Sequence, residues 1–318
     1  FQYDHVGQGA RQVGSTFKPF VYATAIEQLN MSPCDSIIDG PFTIPQGRHN
    51  VTKSWSPNNS DHKFRGMVTL KQALALSINT VSAKLIDKVG PAAVVSLTKK
   101  LGVQSEIPEQ ASIALGAVEI TVRDMVAAYS TFANQGIYIK PQFLTRIEDK
   151  NGVSIYESIP ESHDVLNKDI AFAVIKLLQG VTESGSGARL RTSGGGHGYN
   201  RVTGYPYAFT NPIAGKTGTS QNQSDAWFMG MVPNLVTGVW VGNEDRSAHF
   251  KRITYGQGAT AALPIWGILM KKVYADKDLD ISKSDFERPA NLSIKVDCWV
   301  PKVKDSTAYN QSTDEFEL

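Results

Sequence analysis

The sequence predicts a mixed helix-and-strand domain of the α+β type. Three observations carry this: helical periodicity recurs through the first two thirds of the chain, two β-rich runs flank a "PN" turn near residue 233, and the composition is that of an ordinary globular protein.

The stretch "KPFVYATAIEQLN" (18–30) has a helical pattern, as does "TLKQALALSINTVSAKLIDKVG" (69–90), where a break is expected near Ser77. In "TVRDMVAAYSTFANQG" (121–136) Val122, Met125, Val126, Tyr129 and Phe132 recur at three- and four-residue steps. Thr121 suits the start of that helix and Gly136 its left-handed stop. A fourth helix fits "DIAFAVIKLLQGVT" (169–182). Between Ser184 and Pro212 the chain is rich in Gly, Ser, Tyr and Asn without a period, which reads as a long loop. "DAWFMGMVPNLVTGVWVGNED" (225–245) reads as an antiparallel hairpin. From about Phe286 the pattern weakens, so residues 1–285 are taken as one domain and 286–318 as a C-terminal tail.

The 318 residues carry 32 basic and 30 acidic side chains, a net charge of +2, and no basic face that would hold nucleic acid. No apolar run approaches the roughly 20 residues that cross a bilayer. Cys34 and Cys298 stand far apart and in no metal-binding pattern. They read as two free thiols; the alternative is one long-range disulfide, open only in an oxidising compartment and only if the Cα atoms come within about 7 Å. The six histidines share no ligand spacing and read as surface or core residues. No metal or cofactor is implied.

"PIAGKTGTSQ" (212–221) could end a phosphate loop or form one wall of an acyl-transfer site. A phosphate loop needs glycine where Thr210 stands, Pro212 removes an N–H donor, and the following residues continue towards strand where a helix is required. That leaves acyl transfer.

A hydroxyl nucleophile needs a base nearby, and S-x-x-K places both on one helical face. The pattern occurs three times, at Ser15/Lys18, Ser60/Lys63 and Ser96/Lys99. Only the first is followed by a proline, Pro19, which belongs in a first helical turn and so puts Ser15 at a helix N-terminus. There the unpaired N–H groups favour an alkoxide and a neutral Lys18. The competing reading is an N-cap serine beside a solvated lysine. S-x-N also occurs three times, and Ser77/Asn79 is distinguished by lying between two apolar helical stretches, where a polar pair needs partners. K-T-G occurs once, at Lys216-Thr217-Gly218, beside the hairpin. Its glycine lets a ligand approach an edge strand, and Thr217 and Thr219 share a face, so these hydroxyls with Lys216 suit a carboxylate.

These three elements, in this order, resemble those of penicillin-binding proteins and serine β-lactamases. With "RQVGSTFKPFVYATAIE", "RGMVTLKQALALSINTVSAKL", "EITVRDMVAAYSTFANQG" and "AGKTGTSQNQSDAWFMGMVPNLVTGVWVGNED", the chain resembles the transpeptidase domain of class A penicillin-binding proteins from residue 11 to about 270. The resemblance implies an antiparallel sheet flanked by helices plus a helical subdomain, with the acyl site at their junction. It implies Ser15 as nucleophile towards the penultimate D-alanine of a D-Ala-D-Ala stem peptide and Lys18 as base. Ser77 would be the proton relay and Asn79 would orient the lysine and the substrate amide. Lys216 would supply positive potential, Thr217, Gly218 and Thr219 would bind substrate, and the N–H groups of Ser15 and Thr219 would form an oxyanion hole, commonly worth about 3–4 kcal/mol. It further implies peptidoglycan as partner, β-lactams as covalent inhibitors, an extracytoplasmic location, and a parent chain with a glycosyltransferase domain and membrane anchor.

Only fourteen residues precede Ser15, so the first sheet strands are expected to be missing from this segment. Tyr199, Tyr205 and Tyr207 read first as exposed loop tyrosines; the competing hypothesis is that they rim the substrate groove. The rival functions are a β-lactamase, a D,D-carboxypeptidase and a non-catalytic penicillin sensor. A β-lactamase would need E-x-x-x-N between the second and third motifs, and the one such pattern, Glu287/Asn291, lies after the third.

Overall fold

The computed structural model describes residues 3–192 and 205–298. After a short strand β1 (Arg11–Gln12) and a 3-10 turn (Gly14–Phe17) comes α1 (Lys18–Leu29), buried at nine of its twelve residues and stopped by Asn30 in the left-handed conformation. β2 (Ser36–Asp39) pairs with β3 (Gly66–Thr69). Thr69 and Gln72 form a reciprocal capping box that starts α2 (Leu70–Ala75). The expected break follows: Ser77 is left-handed, with φ 56°, and α3 (Asn79–Val89) starts anew. α4 (Pro91–Lys100) completes this helical part.

β4 (Glu119–Ile120) pairs with β1 and leads into α5 (Val122–Ala133), whose first turn is capped by the Thr121 hydroxyl accepting from the Asp124 N–H at 3.1 Å. Gly136, at φ 92°, follows as the left-handed stop. Two small antiparallel pairs come next, β5 (Ile137–Ile139) with β8 (Ser162–Asp164), and β6 (Arg146–Glu148) with β7 (Ser154–Glu157). α6 (Lys168–Ser184) is capped by Asn167.

The central sheet is β9 (Ala214–Thr219), β10 (Asp225–Val232) and β11 (Leu235–Gly242), antiparallel in the order β11-β10-β9, so that β9 is an edge and the Pro233-Asn234 hairpin falls where the sequence places it. α7 (Leu263–Ala275) follows two single helical turns, Ile253–Gly256 and Gly258–Ala261.

β10 is buried along its whole length, and its alternation divides the molecule into two cores. Trp227, Met229 and Met231 face a main core with α1, α2, α3, α5 and α6. Ala226, Phe228 and Val232 face a second core around Trp266 of α7. This is the helix–sheet–helix sandwich with a helical subdomain that the sequence implied.

Past the expected boundary the chain stays on this body as far as Cys298. Phe286 and Val296 are in the main core, and the Asp169 carboxylate accepts from the Ser293 N–H and hydroxyl at 2.8 and 2.6 Å. The reading of two free thiols is corrected: Cys34 and Cys298 form a disulfide, their Cα atoms 5.0 Å apart. The elements between them bring residues 264 positions apart together, which spacing alone does not reveal.

Candidate active site

Ser15 lies in the 3-10 turn that runs directly into α1, one turn before the position that Pro19 suggested. In a 3-10 turn residues i and i+3 eclipse, so Lys18 still follows Ser15 on one face. The turn is fixed from several sides. Gly14 N–H donates to Gly116 O at 3.2 Å, the Thr16 hydroxyl to Val13 O at 2.7 Å, and the Tyr129 hydroxyl of α5 to Thr16 O at 2.6 Å.

The turn also lies directly against β9. A Cβ on Gly14, which has φ +53°, would stand 2.5 Å from Thr219 O and 3.1 Å from Thr219 N. A Cβ on Gly218 would stand 2.7 Å from Val13 O. The space beside Gly218 therefore belongs to the serine turn, which corrects the expectation that this glycine admits a ligand.

Both motif lysines are fully buried, which rules out the solvated-lysine reading. Lys18 Nζ donates to Ser77 O at 2.6 Å, to Asn79 Oδ1 at 2.7 Å and to Ser77 Oγ at 3.2 Å. From the sheet side, Lys216 Nζ donates to the same Ser77 Oγ at 2.9 Å and to Thr217 O at 3.0 Å. Burial, and after it the charge of Lys216, holds Lys18 well below its ordinary pKa. Burial alone brings Lys216 down to about 7. The left-handed backbone at Ser77 turns its hydroxyl towards both amines and its carbonyl towards Lys18.

Register places Thr217 opposite Phe228 and Thr219 opposite Ala226, so the two threonines share the face of the second core, while Lys216, opposite Met229, points to the other face. The three groups do not form one carboxylate clamp as the spacing suggested. Thr217 Oγ1 is 2.6 Å from the Ser186 hydroxyl, and Thr219 Oγ1 accepts from Gly258 N–H at 3.1 Å.

A cleft of about 520 Å³ joins these pieces. It is lined by Ser15, Ser77, Asn79, Thr217 and Thr219, and also by Trp55, Asn58, Ser186 and Gln257. Trp55, Ser186 and Gln257 are invisible to motif reading, whereas Asn58 belongs to the S-x-N match Ser56/Asn58 that is set aside in favour of Ser77/Asn79. Ser186 and Asn58 carry a weak cue, since each sits in a short run of small polar residues that the fold has to place somewhere.

The tyrosine rim is not formed. Tyr207 is buried in the second core against Trp266 and Gly267, Tyr205 lies beside it, and neither lines the cleft, while Tyr199 falls outside the described residues. The Glu287 carboxylate is engaged by Gln135 on another surface, away from the cleft.

The profile of the penicillin binding protein transpeptidase domain matches residues 4–262. Penicillin-binding protein 1A of Aquifex aeolicus is 35% identical over 300 residues, covering 93% of this chain and 37% of that protein. Penicillin-binding protein 1A of Neisseria flavescens is 34% identical over 273 residues, covering 83% and 31%. The chain thus spans about a third of the length of the curated relatives it matches. Among solved structures, penicillin-binding protein 1A from Haemophilus influenzae superposes with TM-score 0.74 at 25% identity, covering 86% of this chain and 44% of that one. The PonA1 protein from Mycobacterium tuberculosis in complex with penicillin V gives 0.70 at 25%, covering 89% and 73%.

Proposed function

The chain belongs to the penicillin-binding protein transpeptidase family, class A branch, and from that premise we propose that it cross-links peptidoglycan by D,D-transpeptidation through an acyl-enzyme on Ser15. The observation that carries this reading is the convergence of two buried lysines on the Ser77 hydroxyl, in a cleft that also opens on Ser15 and β9.

In this reading the Ser15 hydroxyl attacks the carbonyl carbon of the penultimate D-alanine and its proton passes to Lys18. A neutral amine has two hydrogens and one lone pair. The two short bonds to Ser77 O and Asn79 Oδ1 use both hydrogens and leave the lone pair for that proton. Lys18 makes no hydrogen bond to Ser15 among the described residues, and such contacts commonly tighten only when substrate is bound. The N–H groups of Ser15 and Thr219 hold the oxyanion, brought together by the glycine contacts between their segments. Collapse breaks the peptide bond. The departing D-alanine nitrogen takes a proton from the Ser77 hydroxyl, which accepts from Lys216 and so keeps its own hydrogen free to donate, and Lys18 returns the proton to Ser77. A second stem-peptide amine then attacks the ester carbonyl, and Ser15 leaves with its hydroxyl restored. Thr217 and Thr219 hold the terminal carboxylate. A β-lactam enters the same first step and stays attached.

Residues 1–285 form the transpeptidase unit and 286–298 a strap fastened by the disulfide, a bond that suits an oxidising, extracytoplasmic setting. Among the described residues no helix is long and apolar enough to cross a membrane. The parent chain carries the anchor and the glycosyltransferase domain.

Incubation with a labelled penicillin tests this reading. A mass adduct that persists for hours and is absent in Ser15→Ala supports it, rapid turnover points to a β-lactamase, and no adduct on folded protein overturns it. Adding a D-Ala-D-Ala donor with an amine acceptor separates cross-linking from hydrolysis.

A further inference from the structure

Behind Asn79 lies a buried polar relay that no motif marks. α3 starts at Asn79, and its N-cap residue, Ile78, offers no side chain to the first N–H groups. A side chain twenty residues away supplies the cap. Asn59 Oδ1 accepts from Asn79 N–H at 2.9 Å and Thr80 N–H at 3.3 Å, and the residue is 3% exposed. The other end of the same amide donates to Lys63 O at 2.7 Å and to Asp39 Oδ1 at 2.8 Å. Both donors meet its oxygen and both acceptors meet its nitrogen, so the amide has one possible orientation.

Asp39 is 1% exposed. Its carboxylate also accepts from the Thr80 hydroxyl at 2.6 Å and from Arg65 N–H at 3.0 Å, with the Arg65 guanidinium at 3.5 Å. Burial alone would raise its pKa, but the bonds from Thr80, Asn59 and Arg65 outweigh this and hold it low. The carboxylate polarises the Asn59 amide and strengthens its oxygen as an acceptor at the start of α3. The neighbouring Asn58 O accepts from Asn79 Nδ2 at 2.7 Å, which turns Asn79 Oδ1 onto Lys18.

Resting on the acyl-transfer reading, we propose that Asn59, oriented by Asp39, is a positioning residue for the acylation step: the pair fixes the start of α3 and the Asn79 amide, and through Asn79 it sets which hydrogens of Lys18 are engaged. Asn59 touches neither substrate nor Ser15. It acts on rate by keeping the Lys18 lone pair aimed at the nucleophile.

The test is acylation by a fluorescent penicillin, with the first-order acylation constant separated from the binding constant, on folded protein well below its melting temperature. Asn59→Ala is expected to lower the acylation constant about 10- to 100-fold, the scale of a small misplacement of catalytic groups, with binding changed little. In an Asn79→Ala background the same substitution is expected to cost less than about threefold, because its effect is already lost. A merely structural role would lower the melting temperature and act equally in both backgrounds, which overturns the proposal.

A second comparison covers the case in which Asn59→Ala does not fold. Asn59→Asp sets two carboxylates face to face and is expected to lose about tenfold, whereas Asn59→Asp with Asp39→Asn keeps the acceptor for α3 and restores the donor to it. Recovery to within about threefold of wild type supports the relay, and stability recovered without rate overturns it. If wild-type protein itself forms no adduct, the acyl-transfer reading fails; if wild type and variants acylate alike, only this inference does.

Discussion

Lys216 Nζ and Ser77 Oγ lie 2.9 Å apart, joining the edge of the sheet to the break between α2 and α3. Lys18 reaches the same oxygen from the third side at 3.2 Å. One hydroxyl thus links three segments that are far apart in the chain. It also explains how two amines can be buried together: burial favours the neutral form of each, and both have oxygen acceptors.

Ser77→Ala removes the shared oxygen and, in the proposed reaction, the path to the leaving nitrogen. The acylation rate is expected to fall by roughly 10²-fold or more, the usual worth of a positioned proton donor, while penicillin binding changes little. Rapid-mixing acylation measures it, and an unaltered rate would assign the proton to another group.

Stability is expected to rise with pH above neutrality. Lys216 is held at about 7 in the folded protein against an ordinary 10.5, and Lys18 is shifted the same way. Between those values the unfolded chain binds protons that the folded chain does not, so unfolding becomes costlier by up to about 1.4 kcal/mol per pH unit for each lysine. Urea titrations from pH 7 to 9 should show the climb, and Lys216→Met should make it shallower, leaving the share that belongs to Lys18. A flat wild-type curve would show that Lys216 is not shifted.

Gly14→Ala is expected to destabilise the protein by at least about 1–3 kcal/mol and to abolish acylation, because the new Cβ combines a left-handed backbone with a 2.5 Å approach to Thr219 O. Thermal melts and adduct mass together check it. Gly152→Ala provides the contrast, since that glycine has nothing within 4 Å of an added Cβ, and only the backbone penalty at φ +82° remains.

Ser186→Ala tests the hydroxyl pair at 2.6 Å. When Ser186 donates to Thr217, the Thr217 proton is free for a substrate carboxylate. Losing one net hydrogen bond is worth about 0.5–1.5 kcal/mol, so kcat/KM for a stem-peptide donor should fall a few-fold to about tenfold, through KM. An effect confined to kcat would place Ser186 in the chemical steps.

The elements legible in the sequence are those with local causes. The break at Ser77, the capped start of α5, the Pro233-Asn234 hairpin and the register of Thr217 with Thr219 follow from residues a few positions apart. α7 escapes because "LPIWGILMKKVYA" is apolar nearly all round, so that Ile265 and Leu269 on the exposed side hide the stripe of Leu263, Trp266 and Met270. Asp39, Asn59 and Ser186 are silent because their partners are distant in sequence and a lone Asp, Asn or Ser has no periodic signature. The two cysteines are misread as free thiols for the same reason. In the site, the motifs supply the residue types and strand alternation separates Lys216 from the two threonines, but only packing reveals that Lys216 reaches Ser77 while the threonines line the cleft.

The position of β9 has one further consequence. An unpaired strand edge is a hazard for most proteins, since any extended chain can add to it, and natural sheets usually blunt or cover such edges. Here, among the described residues, the edge strand is buried at five of its six positions. Thr217 and Thr219 of this edge line the cleft, with Ser186 and Gln257 beside them. The same burial that holds the motif lysine in place thus also leaves little of this edge for another chain to pair with.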